Sequence, residues 1–348
     1  MIKKLVTISL LLLLAVIGIA VWSFNHYFMP MGRGGGDEVL VVIERGTSAL
    51  VVADTLEALG VVRSGKMFYY WLRYNDYIER MQAGRFTFIG GEGAINAAER
   101  LMQRPEVIER TIFVKEGLTI EQTAAVVAAQ IEEIDSAGFV DLCLDSTFIA
   151  SLGVDVKSLE GYLFPDTYRL PENANAADVV RRMVARFNQV MAGIDWNPAI
   201  RERYTDHQII TLAAIVEKEA TLASERGKIA GVFHNRLREG WPLGADPTVR
   251  YIFRKFDGPL YVSELNNPSP YNTRRFAGLP PGPIASPGRG AIQASAKPDV
   301  TDAMFFVALW DGTGRHYFSR TNAEHDRMKF RVRRENEERI RKQKQKGN

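Results

Sequence analysis

The stretch TLAAIVEKEA, residues 211–220, places two carboxylates directly after an apolar run. Leu212 to Val216 are all apolar or small, which is typical of a buried helix, and Glu217 and Glu219 then flank Lys218. Charged side chains are rarely buried unless they have a partner or a purpose. These two acids are therefore candidates either for catalysis or for a buried ion pair.

Helical spacing does not choose between the two acids, because both share a face with apolar residues one and two turns earlier. Either acid lies near a helix C-terminus, where the macrodipole disfavours negative charge, and partial burial raises a carboxyl pKa in the same direction. A raised pKa suits a general acid. The alternative is a salt bridge with Lys218, Arg226 or Lys228, and the spacing leaves it open.

The surrounding sequence predicts a mainly helical domain over residues 173–332. Apolar residues recur at helical spacing in three segments, 175–194, 205–220 and 223–240. A stretch rich in Pro, Gly and Asn follows, and such loops often carry binding groups on a rigid scaffold. Further on, MFFVAL (304–309) predicts a buried strand and TGRHYFSRT (313–321) predicts its partner.

Upstream, residues 38–172 predict a second region that mixes strands and helices. VLVVIERGTSALVVADTLEALGVV (39–62) indicates a strand, a glycine turn and a capped helix. RTIFVKEGLTIEQTAAVVAAQI (110–131) repeats the pattern with Thr119 as the helix cap. Two copies indicate a pair of small modules, because a solenoid needs more repeats.

Residues 1–28 are predicted to form a cytoplasmic stub followed by a transmembrane anchor. The run from Leu5 to Phe24 has no charge and, at about 1.5 Å per residue, is long enough to cross a bilayer of roughly 30 Å. A cleaved signal peptide is the alternative, although its apolar core is usually shorter. Lys3 and Lys4 favour a cytoplasmic N-terminus. Residues 29–37 then form a flexible linker.

Charge and motifs exclude several classes of function. Residues 331–348 carry eight Lys/Arg and three Glu, so the rest of the chain is slightly acidic although the net charge is +3. This balance does not support a nucleic-acid partner, and residues 333–348 are predicted to be a solvated basic tail. No phosphate-binding GxxxxGK[ST] loop, HExxH zinc motif or GxSxG elbow is present. We therefore expect no cofactor and no metal.

Four long motifs, taken in order, resemble the endolytic murein transglycosylases of the MltG/YceG-like family. They are EGYLFPDTYRL (160–170), AAIVEKEA (213–220), ADPTVRY (245–251) and SPYNTRRFAGLPPGPIASPG (269–288). The resemblance runs from about residue 40 to residue 330. It implies an α+β protein with a single N-terminal transmembrane helix. A LysM-like, glycan-holding region at 38–172 would precede a lysozyme-like, mainly helical catalytic domain at 173–332.

The resemblance also implies a reaction. Members of this family cleave the MurNAc–GlcNAc β-1,4 bond within peptidoglycan strands without water, which leaves 1,6-anhydro-MurNAc ends. Glu217 matches the catalytic glutamate, which protonates the leaving oxygen and then takes the proton of the sugar's own C6 hydroxyl. The carboxylate pair of ordinary glycosidases is then not required. Glu219 is expected to support this site rather than to react.

The same motifs supply the candidates for substrate binding, which are Tyr271, Asn272, Thr273, Asp246, Tyr168 and Asp166. The first three resemble the Tyr–Asn element that lines such clefts, and a simple turn after Pro270 is their structural alternative. Asp246 is expected either to bind substrate or to cap a helix at the proline that follows it. Fold-stabilising roles are the alternative for Tyr168 and Asp166.

Two other functions stay open at this point. One is a peptidoglycan hydrolase that uses Glu217 with Asp246 or Glu219 as its second carboxylate, and the other is a non-catalytic glycan-binding scaffold. The expected partners are peptidoglycan strands and the membrane, and the resemblance adds peptidoglycan synthases. The expected location is the bacterial inner membrane, with one membrane pass and the bulk of the chain in the periplasm.

Overall fold

The computed structural model describes residues 2–31, 36–44, 46–105 and 109–346. Residues 32–35 of the predicted linker and the last two residues of the predicted tail lie outside that description. The chain forms two compact units, Met1–Glu109 and Arg110–Asn348. Each unit contains a hydrophobic core of its own.

The first unit begins with helix α1, Ile2–Phe28. Its segment Val6–Phe28 has a mean hydropathy of 2.5 and is, by length and composition, the one described helix that could cross a membrane. The apolar side chains along most of this segment are exposed. At its end, the ring of Phe28 lies 5.1 Å from that of Trp71, and Arg63 donates to the carbonyl of His26 at 2.8 Å.

The rest of the first unit is a two-stranded antiparallel sheet with three helices. Val41 and Ile43 of the first strand are buried while their neighbours are exposed, as the alternation of side chains along a strand requires. Val41 lies opposite Phe86 in the ladder. The elements are β1 Glu38–Ile43, α2 Ala49–Ala58, α3 Gly65–Tyr74, β2 Gly84–Ile89 and α4 Gly93–Met102.

The second unit starts with the same order of strand, helices and strand. Thr119 and Gln122 form a capping box that starts its first helix, as the sequence predicts for Thr119. The elements are β3 Glu109–Phe113, α5 Ile120–Gln130, α6 Ser136–Leu144, α7 Ser146–Ser151 and β4 Thr167–Pro171, and β3 pairs with β4. The LysM-like assignment of these segments stays a prediction.

The remainder of the second unit is mainly helical and ends in a small antiparallel sheet, β5 with β6, and a long helix. Helix α10 lies at its centre and packs against α11 and α14. The elements are α8 Ala176–Ala192, α9 Pro198–Arg203, α10 Asp206–Glu219, α11 Arg226–Arg238, α12 Asp246–Ile252, α13 Val262–Leu265, α14 Arg289–Ala296, β5 Phe305–Ala308, β6 His316–Ser319 and α15 Asn322–Lys346.

The structure can be compared with the sequence expectations at two further points. The boundary between the compact units falls at 109/110, inside the region 38–172 that we assigned to one LysM-like part, whereas 172/173 lies within the second unit. The reason is that Ile112 of β3 and Val179 of α8 belong to one continuous core. Strand β5 is only partly buried rather than fully buried. The functional role of each segment is not decided by these boundaries.

Candidate active site

The last turn of helix α10 contains both acids of residues 211–220, Glu217 and Glu219. Its first turn is held by a capping box between Thr205 and Gln208, and residues 209–216 are buried. This buried segment fixes the helix in the core, and the backbone turns to an extended conformation at Ala220. The side chain of Glu217 is 8% exposed as a result, so its carboxyl is largely withdrawn from water.

Three charged side chains meet at Glu217. Arg226, the first residue of α11, donates from Nη2 to Glu217 Oε1 at 2.9 Å and to Glu116 Oε2 at 3.0 Å. The backbone N–H of Gly288 donates to Glu217 Oε2 at 3.2 Å. We call the side chains of Glu116, Arg226 and Glu217 the Glu116–Arg226–Glu217 network. The salt bridge that the sequence left open therefore exists, and it involves a second carboxylate.

The pKa of Glu217 is raised above its ordinary value. Burial is the main cause and the negative charge of Glu116 is the second, while Arg226 and the N–H of Gly288 act in the opposite direction. The position at the end of α10 favours the protonated form as well, because the macrodipole is negative there. The protonated form of this carboxyl is therefore favoured more than in an exposed glutamate, and the carboxylate still has donors nearby once it is ionised.

Glycines make room for this network in two loops, residues 115–118 and 286–290. Gly117 N donates to Ser286 O at 2.8 Å, which ties the loops together. Gly117 has a positive φ of 77°, and its carbonyl accepts from Lys218 Nζ at 3.0 Å. At Gly288, a Cβ atom would lie 1.8 Å from Glu116 Oε1. A side chain at this position would therefore displace Glu116.

Glu219 lies on another side of α10, because two residues rotate a helix by about 200°. It lines a cavity of about 580 Å³ together with Arg236, Asp246 and Arg274. Burial, followed by the charge of Asp246, raises the pKa of Glu219 to about 7. The two acids therefore face different surroundings, which helical spacing could not reveal.

Asp246 does not cap a helix. The N-cap of α12 is Ala245, and among the residues that the structure describes no side chain caps the start of that helix. The carboxylate of Asp246 instead pairs with Arg274 at the cavity with Glu219. Of the two roles that the sequence left open for Asp246, capping is thus wrong and substrate binding stays a prediction.

The Tyr271–Thr273 element forms a structured turn. Asn272 is fully buried and donates to the carbonyls of Leu265 and Asn267 at 2.9 and 2.8 Å. Thr273 is also buried, and its Oγ1 lies 2.9 Å from Oγ1 of Thr248. The side chains of Asn272 and Thr273 thus hold the loop, while Tyr271 is only half-buried and keeps a partly accessible ring. Their predicted contact with substrate stays a prediction.

The two candidates from the motif at 160–170, Tyr168 and Asp166, form hydrogen bonds outside the network. Tyr168 is buried and donates to the carbonyl of Phe164 at 2.5 Å. Asp166 accepts from Arg186 at 2.6 Å and from the N–H of Thr167 at 2.8 Å. Neither contacts the Glu116–Arg226–Glu217 network in the described part of the chain, and these contacts favour the fold-stabilising alternative.

The sequence profile of the YceG-like family matches residues 41–331. The chain belongs to the YceG-like family. A protein named endolytic murein transglycosylase from Bacillus subtilis is 30% identical over 329 residues, which cover 90% of each chain. One of the same name from Streptococcus pneumoniae strain R6 is 28% identical, and the match covers 93% of this chain but only 64% of that longer protein.

A solved structure agrees with this assignment. A 2.6 Å crystal structure of a yceG-like protein from Listeria monocytogenes matches with a TM-score of 0.57 and 27% sequence identity. The match covers 84% of this chain and 99% of the Listeria chain. The predicted family is thereby confirmed.

In this YceG-like chain, Glu116 and Gly288 are residues of the candidate active site that sequence reasoning did not identify. Each residue lies in a recognisable local pattern. An acidic residue precedes a glycine in VKEGL (114–118), and a glycine follows a proline in SPG (286–288). Nothing local says that these loops meet at the end of α10. Arg226 was named only as one of three salt-bridge partners.

Proposed function

We propose that this YceG-like chain is an endolytic peptidoglycan lytic transglycosylase, a lyase that cleaves the MurNAc–GlcNAc β-1,4 bond within glycan strands. Glu217 acts first as general acid and then as general base. The observation that carries the proposal is a largely buried carboxyl with a raised pKa, in contact with one arginine and one backbone N–H. The name shared by the curated relatives supports the same substrate.

In the first step, protonated Glu217 gives its proton to the glycosidic oxygen. The bond between that oxygen and C1 of MurNAc breaks, so the leaving sugar keeps the oxygen as a hydroxyl and positive charge develops at C1. The Glu217 carboxylate that remains accepts hydrogen bonds from Arg226 and from the N–H of Gly288. Such donors stabilise the carboxylate without further rearrangement.

In the second step, the same carboxylate takes the proton of the C6 hydroxyl while O6 bonds to C1. The product carries a 1,6-anhydro ring, no water is consumed, and Glu217 returns to its protonated form. Because the attacking hydroxyl belongs to the same sugar, its effective concentration is high. A second carboxylate that activates water is then unnecessary.

A hydrolase is the second candidate, and one observation favours it. Glu116 and Glu217 contact the same nitrogen of Arg226, so two carboxylates lie near each other. This pair differs from the ones expected from the sequence, since Asp246 pairs with Arg274 and Glu219 lines a separate cavity. In the lyase that we propose, Glu116 instead raises the pKa of Glu217 and does not activate water.

The remaining assignments extend this proposal. Helix α1 anchors the chain in the bacterial inner membrane as a single pass, with the bulk of the protein in the periplasm. Residues 38–172 act as a LysM-like region that holds the strand, and residues 173–332 act as the catalytic domain. Peptidoglycan synthases are proposed as partners. The apolar composition of Val6–Phe28 and the family membership support the anchor and the catalytic role, respectively.

Replacing Glu217 by Gln tests the proposal, because Gln keeps the size of the side chain but cannot donate a proton in this step. We expect release of glycan fragments to fall by about 100- to 10 000-fold, the range typical of a lost general acid, while strand binding persists. The control is Glu133→Gln, which removes an exposed carboxylate paired with Arg110. Cleavage by the Glu217 variant at the wild-type rate would reject the mechanism.

A further inference from the structure

The cavity that contains Glu219 is large enough for a ligand of its own. It holds about 580 Å³, within the roughly 300–1,000 Å³ of typical ligand sites. Its walls come from the ends of α10 and α11, the start of α12, strands β5 and β6 and the first turns of α15. Glu219 lies two residues after Glu217, which is about 3 Å along the helix axis. The cavity therefore lies at the same end of α10 as Glu217, on another side of the helix.

The cavity carries charges of both signs. Its lining includes three cations, Arg236, Arg274 and Lys329, and three carboxylates, Glu219, Asp246 and Asp326. Arg236 is fixed because its Nε donates to the carbonyl of Met304 at 2.8 Å. A nucleic acid or a bare phosphate does not fit a site with three carboxylates, and an uncharged sugar does not need three cations.

Within the described residues, Glu219 has no hydrogen bond or ion pair, although its carboxyl is half-buried. Because this half-buried carboxyl has no protein partner there, it retains hydrogen-bonding capacity for a ligand. Its pKa, raised to about 7, agrees with that arrangement. The lining also contains aromatic rings, since Trp310 is 64% exposed and the guanidinium of Arg236 lies 5.4 Å from the Phe305 ring centre.

A short zwitterionic peptide satisfies all of these features. Its carboxylates match the guanidinium groups, its amino group matches Glu219 or Asp246, and its apolar atoms match Trp310. Peptidoglycan carries such a peptide on the lactyl group of its MurNAc residues, with free carboxylates and, where uncrosslinked, a free amino group on the diamino acid. This identification of the ligand depends on the proposed function.

We propose that the Glu219 cavity binds the stem peptide of a MurNAc residue close to the cleaved bond. The enzyme then recognises strands that carry peptides in preference to bare glycan. Arg274 contacts the peptide carboxylates, Glu219 and Asp246 contact its amino group, and Trp310 packs on its apolar atoms.

The test measures binding with full-length, detergent-solubilised Glu217→Gln protein, which we expect not to cleave. Its probes are purified glycan strands with their stem peptides and the same strands stripped of peptides by an amidase. We expect the stems to tighten binding about tenfold, as one or two charge-assisted hydrogen bonds would. Adding Arg274→Gln or Trp310→Ala removes most of this gain. Lys297→Gln, which alters an exposed lysine paired with Asp195, keeps it.

Equal binding of both kinds of strand would overturn the peptide site, and so would a gain that survives in both cavity variants. Wild-type protein is assayed in parallel for cleavage of the same strands. If wild type cleaves but binding is equal, only the peptide site is rejected. If wild type cleaves neither strand, the proposed function itself fails.

Discussion

At the scale of single residues, Arg226 shares one nitrogen between two carboxylates. Both Glu116 and Glu217 lie within 3.0 Å of Nη2, so the arginine cannot neutralise both fully. Glu116 is 45% exposed and stays well solvated, whereas Glu217 is 8% exposed. The buried acid is consequently the one whose protonated form is favoured.

Glu116→Gln tests this electrostatic role. The substitution removes the like charge and leaves Arg226 to Glu217 alone, so the pKa of Glu217 falls. Since Glu217 must be protonated for the first step, the basic limb of the pH–kcat profile should move to lower pH. The control is Glu121→Gln, which is 46% exposed and paired with Arg254. An unmoved basic limb in the Glu116 variant would remove Glu116 from the account.

A second prediction concerns the space at Gly288. In Gly288→Ala, the new Cβ would lie 1.8 Å from Glu116 Oε1, so the carboxylate of Glu116 must move away from Arg226. We expect kcat to fall about tenfold while the melting temperature changes little, because the φ of −77° suits alanine. Gly193→Ala is the matched control, since its Cβ meets nothing closer than 3.6 Å. Full activity of the Gly288 variant would show that the close packing is irrelevant.

At the scale of elements, α10 was predictable from sequence and its environment was not. The helical spacing of apolar residues predicts the helix, Thr205 caps it, and its last turn contains Glu217 and Glu219. The loops at 115–118 and 286–290 come from positions more than 150 residues apart in the chain. Their meeting depends on tertiary packing, so the partners of Glu217 could not be read from local patterns. The buried amide of Asn272 shows the same limit, because only the fold reveals that it bonds to backbone carbonyls.

Glu160 connects two elements and makes stability depend on pH. It is 5% exposed, accepts from the N–H of Ile120 at the start of α5 at 3.4 Å, and accepts from Tyr251 of α12 at 3.3 Å. Its Oε1 atom has no partner among the described residues. Burial raises its pKa to about 7 from a model-peptide value of 4.5.

Because the folded pKa of Glu160 exceeds the unfolded one, the folded state binds its proton more tightly, and the stabilisation is lost as pH rises from about 4.5 through about 7. In Glu160→Gln this loss, roughly 3 kcal/mol, should disappear, so the melting temperature falls less over that range. Thermal melts at several pH values measure it. Exposed Glu132→Gln is the control. A pH dependence identical to that of wild type would contradict the assignment.

At the scale of the whole molecule, the sequence predicted the family and the N-terminal apolar helix, and both are found. The predicted division at residue 172 follows a change from mixed to helical structure, whereas the compact units divide at 109/110. Residues on both sides, from Ile112 to Ile292, pack into one cluster. Element types follow local periodicity, whereas core membership depends on contacts between distant segments.

The anchor leads to a prediction for the full chain. A predominantly apolar segment of 23 residues inserted in the bilayer should hold the protein in the membrane fraction during washes with high salt and alkaline carbonate, with release only by detergent. Immunoblots of the fractions measure this. Release by carbonate alone would mean that the helix does not span the membrane.

The central claim is that Glu217 directs the sugar's own hydroxyl, and not water, to the broken bond. It is tested most directly by digesting glycan strands in water enriched in the heavy oxygen isotope and weighing the new ends. The account predicts ends that are lighter than reducing ends by one water and that contain no heavy oxygen. Reducing ends that carry one heavy oxygen atom would contradict it and establish the hydrolase instead.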